Sequence, residues 1–598
     1  MLNKIDYWIT VLLTIAGSAV KATANPVEIS SPDGKLENNY QKIVSDRRIV
    51  SQLPNPIPPR TPRQPLKLPS EIKKPPLETP PLPSQPPPSV DIPGKVKIKG
   101  FKFIGNTAFS EEELNQVVAK FTQKEISFAE LLQVEELIRQ QYLAGCQSNN
   151  VNSNRPCYLN SDVVIAAGQK VDGEIITIEI IEGAIKDIQV TGTKRLNPNY
   201  VRSRLALATK KPFDLNRLVA ALQLLQLDPL IAEFNAELST GIRPELSLLK
   251  INIKEADSFT VIPAIDNGRN PSVGSFRRSV GLTEANLLGF GDRINLSYSN
   301  TDGSDSLDLS YSFPVNARNG TIQINGGFSD TEVIESPFDR LNITGDYRYL
   351  ELSLRQPLWQ SPTEEFALGL TASRQASDSF LDNQGFNLSP GANEDGEVRI
   401  SAMRFFQDWT KRNPQQVWSI RSQFSLGVQA LDATENPSTI PDSSFFAWRG
   451  QGQYVQLLAP ETLFVVRSDL QLATEPLLAL EQFSLGGLNS VRGYRQDLLL
   501  TDNAWFLSAE ARLPIWQIPQ ISGVLQIVPF IDLGIGWNNG DFPDPDPNLL
   551  VSPGLGLQWQ MEERLNARFY WGIPLVDVEI EKRTLSDRGI YFSLDYAF

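Results

Sequence analysis

From Phe259 to Phe598 apolar and polar residues follow each other with a period of two. Ile294, Leu296 and Tyr298 alternate with Asn295, Ser297 and Ser299; a polar turn follows, and then Leu307, Leu309, Tyr311 and Phe313 alternate with Asp308, Ser310 and Ser312. This pattern predicts a hairpin with one apolar and one polar face. Similar segments recur to the end, and four of them reach a proline at Phe313-Pro314, Gln356-Pro357, Leu513-Pro514 and Ile573-Pro574, where strands are expected to end at their turns. Alternation alone does not separate a soluble sandwich from a membrane barrel, so length and the last segment decide. The 340 residues from Phe259 onward show no helical period, which is long for one sandwich but suits sixteen strands of about ten residues with their loops. Gly589–Phe598 places Ile590, Phe592, Leu594, Tyr596 and Phe598 on one face. Phe598 then closes a lipid-facing row, a C-terminal signal of a barrel.

Upstream the period changes, and two compact units are expected. Val96 to Phe103 reads as one alternating strand, Gly105-Asn106 as a turn, and Ser110-Glu111-Glu112-Glu113 as a capping box that opens a helix. A second helix is expected from Phe128 to Leu143, with strands at Val163–Ala167 and Glu174–Glu182. The segment from Ile98 to Ser110 then returns at a constant offset of 87 residues: Ile98, Phe101, Phe103, Gly105 and Phe109 match Ile185, Ile188, Val190, Gly192 and Leu196. An offset kept across a glycine and several apolar positions marks an internal domain repeat. The second copy continues with helices near Asn199–Leu207 and Asp214–Leu227 and strands near Glu233–Ser239 and Leu246–Glu255. The order is β-α-α-β-β in each, so the fold class is α+β followed by all-β.

The chain before these units reads as a leader and a spacer. Lys4, the uncharged run Tyr7–Val20 and Ala22-Thr23-Ala24 form an export signal over residues 1–24, with a run too short for the roughly 20 residues of a spanning helix. Residues 35–52, within an N-terminal segment 25–53, admit one polar helix. Pro54 to Pro93 carries 16 prolines in 40 residues, which forbids helix interiors and sheet ladders and predicts an extended linker over 54–95, on the order of 100 Å long. No later stretch approaches eighteen consecutive apolar residues, so a mature chain that spans a membrane does so with strands.

Composition removes function classes. The chain has no histidine, which excludes Ser-His-Asp and Cys-His catalysis and ordinary zinc sites. No GxxxxGK[ST] loop is present, and 69 acidic against 55 basic residues argue against a nucleic-acid partner. A secreted hydrolase is left without an evident acidic pair. The loop Asp541, Asp544 and Asp546 is interrupted by prolines that calcium loops lack, so no metal and no cofactor are assigned. Cys146 and Cys157 are the only cysteines; in an exported chain they are expected to form a disulfide, and free thiols are the alternative if the leader is not one.

Two further motifs carry a resemblance. Val491-Arg492-Gly493-Tyr494 follows Gly486-Gly487-Leu488-Asn489-Ser490, and Phe530-Ile531-Asp532-Leu533-Gly534 lies 40 residues on. Together with the repeat and the strand-rich end, they resemble the two-partner secretion transporters of the outer-membrane assembly superfamily. The resemblance implies an outer-membrane barrel with two periplasmic POTRA-like domains, divided at 96–183, 184–257 and 258–598. It also implies a loop that folds into the barrel, with Arg492 at its tip between Val491 and Gly493-Tyr494, and Asp532 as its wall partner. Phe530 and Gly534 share the Asp532 face, and Glu510, in Ser508-Ala509-Glu510-Ala511-Arg512, is a lumen contact. Leu288-Gly289-Phe290-Gly291-Asp292 resembles an early turn of the barrel. The partners implied are a secreted polypeptide of adhesin or haemolysin type, outer-membrane lipid and the barrel-assembly machinery. Residues 35–52 would be a lumen plug. An insertase or a plastid-type import channel is the alternative within the superfamily, and a diffusion porin lacks both the repeat and the motif pair.

Overall fold

The computed structural model describes residues 75–79, 95–146, 155–169 and 175–598, apart from 242, 244, 438, 439 and 563. The expected leader, the helix at 35–52 and most of the proline-rich linker lie outside the described residues.

The first α/β domain contains β2 (Lys95–Ile98), β3 (Gly100–Ile104), α1 (Glu111–Val118), β4 (Lys124–Ser127), α2 (Phe128–Leu143), β5 (Asp162–Ile165) and β6 (Ile175–Ile181), preceded by a short strand β1 (Leu77–Glu78) in the linker. Both helices begin with full capping boxes, Ser110 with Glu113 and Ser127 with Glu130, each cap contributing about 1 kcal/mol. The single strand expected over Val96–Phe103 is two. Val96 pairs with Ile126 in a two-stranded sheet, whereas Phe101 pairs with Ile176 in parallel. The break is forced by phase: Ile98 is buried at an even position and Phe101 and Phe103 at odd ones, and one strand cannot bury both sets on one face. Similarly, β6 buries Ile176, Ile178 and Ile180 and leaves Ile175 exposed.

The second domain is β7 (Ala184–Thr191), α3 (Pro198–Ala206), α4 (Leu215–Gln226), β8 (Ile231–Thr240) and β9 (Leu246–Glu255). The two domains share one topology. The first strand pairs parallel with the last, and the middle strand pairs antiparallel with the last: β3–β6–β5 in one, β7–β9–β8 in the other. The repeated glycines explain the constant offset. A Cβ on Gly105 would sit 2.3 Å from Ile180 O, and one on Gly192 would sit 2.3 Å from Ile253 O, both at positive φ. Two residues past each of those carbonyls stands a carboxylate that ties down the same turn. Glu182 accepts from the amides of Thr107 and Ala108 at 2.6 and 2.9 Å, and Glu255 from those of Lys194, Arg195 and Leu196 at 2.5 to 3.0 Å.

Cys146, at the end of α2, is bonded to Cys157. Cys157 is fully buried and packs into the second domain's core. Its carbonyl accepts from Leu215 N at 2.8 Å, and its amide donates to Asp214 Oδ1 at 3.0 Å, so the bridge sits where the two domains meet.

Sixteen antiparallel strands, from Phe259–Asp266 to Ile590–Tyr596, form a closed barrel, with a two-residue strand Gln384–Gly385 beside one of them. On Ile343–Gln360, Leu350, Leu352 and Leu354 are exposed while Tyr349, Glu351, Ser353 and Arg355 turn inward; a continuous outward row of large apolar side chains is a lipid face. Among the described residues no helix is long and apolar enough to cross a membrane. Pro314 ends its strand as expected, but Pro357 and Pro514 do not. Each lies inside a longer strand and keeps a register partner, next to a bulge that leaves Leu358 or Ile515 out of the ladder; prolines inside sheets are found beside such local irregularities. The seam between the first and last strands has three paired positions against eight in the next pair. The Asn267 side chain extends the seam by donating to Ile590 O at 2.9 Å and accepting from Phe592 N at 2.8 Å.

The Leu288–Asp292 turn joins barrel to second domain. Asn197 N donates to Gly289 O at 2.8 Å. A Cβ on Gly291 would lie 2.2 Å from the Tyr200 ring, so that glycine is required for close approach. The Arg204 guanidinium stacks on the Tyr200 ring at 3.5 Å and reaches Asn319 of a barrel turn; burial there lowers its pKa.

Candidate functional site

Between the strands Thr462–Ala473 and Asn503–Ile518 the chain leaves the wall and folds into the lumen. Its arms pair as the short strands Phe483–Leu485 and Leu499–Thr501, and Gly486, Gly487 and Gly493 turn it at φ of 104°, 99° and 105°, values that L side chains rarely adopt. The tip is Val491 to Tyr494, all buried.

Arg492, 1 % exposed, is the largest fully buried side chain among the described residues. Its Nε and Nη2 donate to the two oxygens of Asp532 at 2.7 and 2.9 Å, and its own amide adds a third bond to Asp532 at 3.0 Å. Nη1 donates to Glu510 at 2.9 Å and Nη2 to Ser508 at 3.2 Å. The fork geometry of a guanidinium meets a carboxylate bidentately, as no lysine can. The rings of Phe530 and Tyr570 lie 3.6 and 4.8 Å from the guanidinium carbon, which adds cation–π attraction in a site closed to water. Glu510 in turn accepts two bonds from Arg512, at 2.7 and 3.0 Å. Buried charges in this number persist only because each is paired and hydrogen-bonded.

The wall is cut to admit the tip. Asp532 stands between Ser508 and Ser552 in register, two small neighbours. A Cβ on Gly534 would meet Val491 Cγ2 at 2.7 Å, and one on Gly572 would meet Gly493 N at 2.5 Å. Tyr494 is anchored at its hydroxyl, which donates to Val551 O at 2.9 Å and accepts from Val576 N at 3.1 Å; its carbonyl accepts from the Tyr591 hydroxyl.

The sequence-predicted residues Val491, Arg492, Gly493, Tyr494, Glu510, Phe530, Asp532 and Gly534 are thus placed in one cluster. Cys146 and Cys157 lie in the α/β domains, and Phe598 stands exposed at the end of the last strand. Sequence reasoning missed Ser508, Ser552, Tyr570, Gly572 and Tyr591, whose types are common in any barrel wall. It also missed Arg495, directly after the motif, which pairs with Glu335 and Asp587 of two other loops.

The family model for haemolysin secretion/activation protein ShlB/FhaC/HecB matches residues 245–559. The chain belongs to that family. As a haemolysin secretion/activation protein it is a two-partner secretion transporter of the outer membrane, with the barrel in the bilayer and the two POTRA domains in the periplasm. Similar relatives include the heme/hemopexin transporter protein HuxB of Haemophilus influenzae strain Rd, 22% identical over 452 residues that cover 72% of this chain and 74% of the relative. The outer membrane transporter CdiB of Escherichia coli is 21% identical over 493 residues, 79% of this chain and 78% of the relative. The solved structure of CdiB from Escherichia coli superposes with a TM-score of 0.67 at 18% identity, over 94% of this chain and 98% of that one. That of CdiB from Acinetobacter baumannii gives 0.60 at 18%, over 95% and 100%.

Proposed function

We propose that this transporter takes an unfolded partner polypeptide of adhesin or haemolysin type from the periplasm and passes it through the barrel without nucleotide hydrolysis. The POTRA domains, 96–183 and 184–257, receive the partner, and the barrel, 258–598, conducts it. Arg492 and Asp532 hold the inward loop in the lumen, so the seated loop sets the conducting state. The observation that carries this reading is the depth of the Arg492 site: a charged tip held by five hydrogen bonds to Asp532, Glu510 and Ser508 fixes the loop across the path a chain would take. No phosphate-binding loop is present in the sequence, which supports a drive from folding of the partner outside. Replacement Arg492→Ala leaves Asp532 buried and unpaired, a change that costs about 3–5 kcal/mol at a buried ion pair. The test measures secretion of a candidate partner polypeptide co-expressed with this transporter, together with bilayer conductance of the purified protein. Secretion is expected to fall at least tenfold while the variant still assembles as a heat-resistant barrel; undiminished secretion would sink the role given to Arg492.

A further inference from the structure

The two POTRA sheets have equivalent outer strands, β5 and β8, and the structure closes their free edges in different ways. On β5 the domain's own side chains do it. Glu135 accepts from Ile165 N at 2.6 Å, Arg139 donates to Val163 O at 3.1 Å, and Asp162 Oδ1 takes the Val163 amide at 2.9 Å. These groups belong to α2 and to the strand itself, so that edge is shut for good.

On β8 the edge is filled by the proline-rich linker. β1 lies parallel to it, with Leu77 opposite Ala236 and Glu78 opposite Glu237, and Ala236 N donates to Pro76 O at 3.0 Å. Pro75 is buried, and Leu77 packs on the second domain's core. The contact is built to be short. Pro75 and Pro76 before it and Pro80 and Pro81 after it have no N–H to give, so the ladder cannot lengthen in either direction. β8 itself runs ten residues, of which β1 meets two and no other described strand meets the rest on that side, and an unpaired strand edge is a template for any extended chain.

We infer that β1 is a built-in competitor at the β8 edge, a tethered strand that occupies a chain-docking site until an extended segment of the exported polypeptide, with an apolar residue in the place of Leu77, displaces it. This rests on the export reading. A longer segment without prolines pairs with more of β8 than β1 can, so exchange runs toward the partner only when partner is present. The tether restores β1 afterwards at high local concentration.

The test uses the full-length transporter with Glu78→Cys and Glu237→Cys, two exposed residues in register. Oxidation is expected to join them, to leave conductance unchanged and to lower partner secretion at least tenfold, with reductant restoring it; each single variant, treated alike, controls for the native disulfide. Failure to cross-link, or full secretion by the cross-linked protein, overturns the inference. A second arm needs no secretion. In Leu77→Asp the strand is released, and a synthetic peptide of residues 73–80 added in trans is expected to slow exchange of the Ala236 amide at least fivefold; no protection overturns the inference as well. If the reduced, unmodified transporter secretes nothing while the peptide protects Ala236, the export reading has failed and the strand-docking edge stands.

Discussion

Single atoms decide how the loop tip sits. Gly572 has no unusual backbone angle, yet a Cβ there would lie 2.5 Å from Gly493 N and 2.6 Å from the Arg492 carbonyl carbon. Backbone on both sides leaves nothing flexible to give way. Gly572→Ala is therefore expected to lift the tip off Asp532, and planar-bilayer recording checks it through at least a twofold rise in mean conductance. Gly452→Ala is the control, because a Cβ there meets nothing within 4 Å, and its conductance is expected to match the unmodified barrel. The same residue-scale logic separates Arg495 from Arg492. Arg495 is only partly buried and holds Glu335 and Asp587, so it ties the loop to two others above the tip rather than into the wall.

At the scale of elements, each POTRA domain repeats one device: a glycine at the end of the first strand, a carbonyl of the last strand where its Cβ would be, and a carboxylate two residues later that gathers the amides of the turn. Glu182 is 1 % exposed and also accepts from the Thr107 and Tyr142 hydroxyls, at 2.6 and 3.2 Å. Glu182→Ala removes the charged acceptor of the part-buried Thr107 and Ala108 amides, bonds each worth roughly 1.5–3 kcal/mol. The expected outcome is loss of amide-exchange protection across β3 and α1, with β7 and α3 unaffected; hydrogen exchange read by mass spectrometry checks it. The capping boxes act at the same scale, and the bulges at Pro357 and Pro514 show strands extending past prolines that a simple rule takes as ends.

Over the whole molecule, three ties carry order from the periplasmic domains to the barrel. The Cys146–Cys157 bridge and the Leu215 and Asp214 bonds beside it join the two domains. The Gly289 and Gly291 turn, with Tyr200 and Arg204, joins the second domain to the wall. The loop then links the wall to the outer face through Arg495. Closing an eleven-residue separation with a disulfide contributes about 3 kcal/mol by loop-closure entropy. Cys146→Ser with Cys157→Ser is expected to lower the stability of the periplasmic region by about that amount in urea titrations and to leave barrel heat-resistance unchanged.

Features that depend on local periodicity and on constant spacing are legible in the chain before it folds. Alternation in Arg293–Asn300 and Ser304–Pro314 dictates strands with one apolar and one polar face because a period of two has one geometric solution. The 87-residue offset of Gly105 and Gly192 dictates a repeat because only glycine leaves room for the facing carbonyl. Arg492 and Asp532 were legible as a pair through the motif they sit in. The tertiary structure alone decided what depends on chains meeting from far apart. The split of Val96–Phe103 follows from two sheets competing for one segment. Ser552, Gly572 and Tyr591 matter only because the loop crosses the lumen to them, and Arg495 finds Glu335 160 residues away. The linker strand was hidden for the same reason. Prolines at both ends read as a spacer, and only the open edge of β8 gives Leu77 a place to pack.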